Sequence, residues 1–125
     1  MKFLCLIRAE RVMEQFPVAD ANQHFEEYAE FTRQLRASGQ FVGVNRLLPP
    51  STAVTVRVRE GKVSVTDGPY AETKEQLGGY YVIEARDVEE AIQVAARIPG
   101  ARYGSVEVQP VAEDEQTLRA LGLAT

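Results

Sequence analysis

Two side chains in this sequence have the chemistry of an acid–base pair. His24 is the only histidine, so any imidazole chemistry in the chain must use it. It stands near the start of a helical stretch, where the positive end of the helix dipole disfavours the imidazolium. A neutral ring at that place suits a general base. The structural alternative is a flank histidine packed beside Tyr28. Asp67 stands where a strand pattern ends, and there a carboxylate can act as a base or orient a histidine. Equally, it can bond its own backbone two residues on and pin the Gly68-Pro69 turn. Tyr70 follows that turn and, with Tyr80, is a candidate to border a substrate cleft beside the pair. Tyr80 and Glu84 share one face of the next strand, where they either line a small-molecule pocket or face solvent.

Other chemistries lack their residues. One histidine, one cysteine and no acids at ligand spacing argue against a dedicated metal site. A serine elbow, a dinucleotide fingerprint and a phosphate loop are all missing, so no cofactor is expected. Cys5, in mid-strand, reads as a small buried hydrophobe. With no second cysteine, no intrachain disulfide can form, which fits a cytoplasmic setting. Phe3 to Ile7 is too short for a secretory core or a membrane span. Net charge is −4, which makes nucleic acid an unexpected partner. Arg57, Arg59 and Lys62 share one hairpin face, either solvated or a site for an acidic partner.

These residues are positioned by a simple succession of elements in one domain of 125 residues. Lys2 to Ile7 is a strand with apolar residues on both faces, so it should be central and covered on both sides. A helix is expected from an Asp20 cap, with Gln23 completing a capping box, to Ser38 before Gly39. Its buried stripe is Phe25, Tyr28, Ala29, Thr32 and Leu35, with His24, Tyr28, Phe31 and Leu35 in an adjacent row. Phe41 to Leu48 is a second strand. Ala53 to Arg59 and Lys62 to Thr66 alternate around Glu60-Gly61 as a hairpin. Thr73 to Gln76 has capping-box form in a half-helix, which Gly78-Gly79 can end; the glycines read equally as a bulge or hinge. Tyr80 to Ala85 is the next strand. Asp87 caps a second helix with stripe Val88, Ala91, Ile92, Ala95 and Ile98, stopped by Pro99-Gly100. Ser105 to Val111 is the last strand, with a short helix within 113–121. The order β-α-β, hairpin, β-α-β gives an α+β ferredoxin-like sandwich with an added hairpin. Helices cover one sheet face, and a two-fold homodimer through the other would remove an apolar face from water.

The run Asp67-Gly68-Pro69-Tyr70-Ala71-Glu72-Thr73-Lys74-Glu75-Gln76-Leu77-Gly78-Gly79-Tyr80-Tyr81 closely resembles the signature of the DGPF group of YCII-related proteins. The Pro49 to Arg59 stretch, Pro99-Gly100-Ala101, Tyr103-Gly104 and Val106 to Val108 extend the likeness over nearly the whole chain. The resemblance implies a dimeric α/β barrel of ferredoxin-like halves. It also implies a His-Asp pair in a cleft, here His24 and Asp67. One branch of relatives acts on chlorinated hydroxyquinones, many have no assigned activity, and DGPF members often sit beside genes for alternative sigma factors. Three functions are therefore expected in competition. One is a small-molecule enzyme with His/Asp acid–base catalysis; the second is a non-catalytic regulatory or interaction module that recruits a protein such as a sigma factor; the third is a ligand carrier that uses the same cleft without turnover. Three places depart from the pattern. Tyr70 replaces the usual Phe, Asn45-Arg46 replaces a Gly-Glu-Gly-like run and its acid, and the residues around His24 differ from those of YCII relatives.

Overall fold

The computed structural model describes residues 1–11, 13–69 and 74–124. Among these residues, six strands and three α-helices run in the order β1 (Lys2–Ala9), α1 (Val18–Ala37), β2 (Phe41–Arg46), β3 (Val54–Arg59), β4 (Lys62–Asp67), β5 (Gln76–Glu84), α2 (Val88–Ala96), β6 (Gly104–Pro110) and α3 (Glu115–Ala120). The main sheet has order β2-β5-β1-β6 and is antiparallel throughout. Omitting the hairpin, this is the ferredoxin-like α+β arrangement, with the first strand central as its two apolar faces require.

Strand alternation sorts the sheet's residues into two layers. Phe3, Cys5, Tyr81 and Ile83 point to the helices and are buried, joined there by Phe31, Leu35, Ala91, Val94 and Ile98. Leu4, Leu6, Tyr80, Val82 and Glu84 alternate with them on the other face and are half-buried. No described helix is long and apolar enough to cross a membrane.

Helix α1 begins two residues before the expected Asp20 cap. Pro17 precedes it with φ −54° and an extended ψ of 146°, and no side chain caps the first turn. A fixed proline φ is compatible with helix entry, so no capping box is needed. Asp20 instead lies in the first turn, where its charge meets the helix dipole. The C-terminal stop stands as expected, with Gly39 at φ +75°. The solidly packed row is His24, Phe31 and Leu35. Of the expected stripe, Phe25 is 44% exposed. In α2 the Asp87 cap accepts from the Glu90 N–H, as expected. The packed face is Ala91, Val94 and Ala95, with Val88 and Ile92 left exposed.

The central motif differs most from expectation. The half-helix does not form at Gln76, because β5 already begins there, and Thr73 lies outside the described residues. Gly78 and Gly79 sit inside the strand. The register passes from Ile7 opposite Gly79 to Arg8 opposite Leu77, leaving Gly78 as a bulge residue. A Cβ at Gly79 would lie 2.8 Å from the Asn45 carbonyl oxygen, so glycine lets β2 approach β5 there.

The hairpin β3–β4 forms as expected, with Glu60 and Gly61 at φ 50° and 75°. It does not extend the main sheet but makes its own two-stranded one. Its valine face (Val54, Val56, Val58, Val63, Val65) is 56–68% exposed.

Candidate functional site

Helix α1 does not close down on the sheet along its whole length. The apolar stripe Phe25, Tyr28, Ala29 and Thr32 roofs a cavity of about 690 Å³ whose floor is Ile7, Leu77, Gly78, Gly79 and Tyr81. Two loops form its sides, one carrying Met13, Glu14 and Phe16, the other Leu47, Leu48 and Pro50. The size suits a small organic molecule. The cavity explains the stripe: those residues line a space, whereas Phe31 and Leu35 fill one.

His24 stands in the cavity wall and also borders a smaller, more polar recess lined by Glu10, Arg11, Asp20, Gln23 and Glu27. Aromatic rings enclose it. Phe16 stacks at 5.8 Å between centroids, while Tyr28 and Tyr103 meet it edge-on at 5.0 and 5.1 Å. The residue is 8% exposed, and its Nδ1 is buried with no hydrogen-bond partner among the described residues. A buried imidazole nitrogen without a partner is uncommon.

Burial lowers the His24 pKa, with a smaller downward push from Arg102 and an upward pull from Glu27. Glu27 and Arg102 pair with one another beside it. The ring is therefore neutral near pH 7, and it can accept a proton. The unfolded chain takes up this proton near the ordinary value of 6.5, before the folded one does. The His24 contribution to stability is thus complete above that pH and is lost as the pH falls below it. Histidine titration by NMR should give a pKa under 6.5, and His24→Phe should flatten this part of the stability-versus-pH curve.

Tyr28 supplies the complementary group. Its Oη accepts the Gly100 N–H at 3.0 Å, which leaves its own proton free for donation. Burial pushes its pKa up to about 12, so it remains a donor. Thr32 Oγ1 donates to the Tyr28 carbonyl at 2.8 Å. Its one proton is thus used, and the Tyr81 hydroxyl must be the donor in the 2.8 Å contact between Tyr81 Oη and Thr32 Oγ1. A neutral base and a phenolic donor in ring contact are the elements of acid–base chemistry.

The other expected site residues lie elsewhere. Asp67 ends β4 opposite Val54, exposed, and borders neither the cavity nor the recess. Among the described residues it shares neither the cavity nor the recess with His24, because the hairpin carries it off the main sheet. Its turn is tied by backbone: the Gly68 N–H donates to Ala53 at 2.7 Å, and the Gly68 carbonyl accepts from Thr55 Oγ1 at 2.9 Å. Tyr80 and Glu84 project from the sheet face opposite the cavity, since alternation along β5 gives the inner side to Tyr81. The Tyr80 Oη accepts from Asn45 Nδ2 at 2.9 Å, and Glu84 pairs with the N-terminal amine at 3.2 Å. Tyr70 lies outside the described residues. Cys5 is buried, and burial raises its thiol pKa to about 11, as befits an inert hydrophobe.

Sequence reasoning missed Tyr28, Tyr103 and the arginines of the rim. The spacing of His24 and Tyr28 was the available signal for the first. Arg46 lies over the Phe25 ring at 5.7 Å and pairs with Glu14 at 3.0 Å. This pair holds a side loop against β2.

Comparison with known proteins gives three findings. The family model described as YCII-related domain matches residues 1–114. An uncharacterized protein of Rhizobium meliloti is 42% identical over 82 residues, covering 64% of this chain and 66% of that protein, just under two thirds of its length. A solved structure of the 5-chloro-2-hydroxyhydroquinone dehydrochlorinase from Burkholderia phenoliruptrix, in complex with 2,5-dihydroxybenzoquinone, matches with a TM-score of 0.54. It covers 93% of this chain and 98% of that one at 13% identity, a likeness of fold.

Proposed function

This chain belongs to the YCII-related domain family, and on that premise we propose that its cavity binds a small organic molecule on which His24 acts as a neutral proton acceptor. The observation that carries this is the partnerless Nδ1 of His24, buried in the wall of an aromatic cavity. Tyr28 is the proton donor of the pair. The dehydrochlorinase of similar fold holds 2,5-dihydroxybenzoquinone, which makes that compound and related ring phenols the first probes. NMR titration of such a panel should give saturable shifts of the His24 ring, and Ala29→Trp, which fills the roof, should abolish them. Binding that leaves the His24 ring unmoved would overturn the assignment, as would a panel with no binder.

The reading includes a homodimer through the open sheet face, supported by Leu4, Leu6 and Val82, apolar residues that alternate with the buried core and stay partly exposed on the opposite side of the sheet. Asp67 joins the site only if the second copy brings it there. Sedimentation at micromolar concentration should give twice the chain mass. The exposed valine face of the hairpin favours a second reading, an interaction module that recruits a regulatory protein such as a sigma factor. It predicts that Val56→Lys abolishes partner capture while leaving ligand binding intact.

A further inference from the structure

Charge on the cavity rim narrows the ligand class. Four arginines line the cavity (Arg11, Arg33, Arg36, Arg46), and Glu14 is the only carboxylate among the described lining residues. Two of the four are neutralised within the chain, Arg46 by Glu14 and Arg33 by Glu30. The other two have no carboxylate partner among the described residues. Arg36 lies 4.0 Å over the Phe41 ring, and Arg11 lies 4.7 Å over Phe16 while donating to the Gln15 carbonyl. The ring contact holds each guanidinium in place without neutralising it, leaving N–H donors available. His24 and Arg36 are twelve residues apart on α1, roughly 18 Å along the helix. Arg11, stacked on the Phe16 ring that contacts His24, therefore serves the His24 end, and Arg36 the far end.

This surplus is local. The chain as a whole carries −4, and a general field of that sign repels anions. Cations kept on the rim of an apolar, aromatic cavity in an acidic protein mark the place where a ligand's own negative charge would be met. We infer that the ligand is an organic anion: an apolar or aromatic body in the cavity, with a carboxylate, phenolate or comparable group at Arg36 or Arg11. This rests on the cavity being the binding site and names the class of molecule it takes.

Matched probes separate the two claims. 2-Naphthoate and 2-naphthamide have nearly the same shape and differ in charge. Calorimetric or NMR titration should show the carboxylate binding about tenfold more tightly, as expected for a charge-assisted hydrogen bond. That preference should shrink as salt is raised from 50 to 500 mM, roughly the range over which exposed charges become screened. Arg36→Met or Arg11→Met should remove the preference, and the sensitive one identifies the end that holds the anion. Equal binding of the two probes, or a preference unchanged in both variants and in the double variant, overturns the anion inference while leaving the cavity in use. Binding of neither probe overturns both.

Discussion

Tyr81→Ala is expected to cost about 3–5 kcal/mol, the usual range for removing a large buried aromatic side chain. Tyr81 is 1% exposed, at the centre of β5, and is among the largest fully buried residues. Its ring meets Phe31 edge-on at 5.2 Å and stacks on Tyr28 at 6.3 Å. It also forms part of the cavity floor, so the space left behind opens into one that already exists. The neighbours have little freedom to collapse inward, because Tyr28 is held by Gly100 and Phe3 and Cys5 are fixed in the adjoining strand. A loss of this size is a large share of the 5–15 kcal/mol that a typical domain has in reserve. Tyr81→Phe isolates the hydroxyl. Thr32 keeps its bond to the Tyr28 carbonyl, so this change should cost only about 1 kcal/mol. Urea denaturation of the two variants measures both numbers. If Tyr81→Ala costs no more than Tyr81→Phe, the ring is not the pillar between α1 and the sheet.

The fold was legible because its determinants are periodic. β1 carries apolar residues on both faces and lies at the centre of the sheet; β3 and β4 alternate around Glu60-Gly61 and form the hairpin. Asp87 and Gly39 mark helix ends through local chemistry that needs no tertiary context. The errors arose where one pattern has two physical causes. An apolar helical stripe is the same in sequence whether it packs against side chains or lines a cavity. Phe25, Tyr28, Ala29 and Thr32 do the latter. Likewise, Gly-Gly can end a turn or permit close strand approach, and only the neighbouring Asn45 carbonyl decides for the second.

The site was less legible for a topological reason. Asp67 is expected beside His24 from the family resemblance, and Tyr80 and Glu84 are expected at a pocket because they share one strand face. Sequence proximity to a motif does not fix the sheet face, and one step along β5 separates Tyr80 on the open face from Tyr81 on the cavity floor. The partners that His24 does have come from distant segments. Phe16 lies in the loop before α1 and Tyr103 at the entry to β6, and no spacing rule joins them. That His24 lies on the buried side of α1 is legible, because its helical spacing from Tyr28 is a local feature.

Gly104→Ala should be nearly as damaging as the loss of Tyr81, for a steric rather than a cavity reason. Gly104 opens β6 and pairs with Ala9. A Cβ there would lie 1.9 Å from the Arg8 carbonyl oxygen and 2.9 Å from the Ala9 Cα. Both are backbone atoms in a central strand, so no rotamer change relieves the contact. The ladder must part at this end, at a cost of about 3 kcal/mol, the upper part of the range for overpacking. The disturbance reaches the site through the adjoining residue. Tyr103 borders both the cavity and the recess and closes one side of His24. As β6 shifts, water gains access to the imidazole, and the His24 pKa should rise back toward 6.5. Gly43→Ala serves as the comparison, since a Cβ at Gly43 meets nothing within 4 Å. It should leave stability within about 1 kcal/mol and the His24 titration unchanged. Thermal denaturation and NMR titration of the two alanine variants test both parts. Equal melting temperatures would refute the steric account, and a His24 pKa that stays low in Gly104→Ala would show that Tyr103 is not what keeps the ring dry.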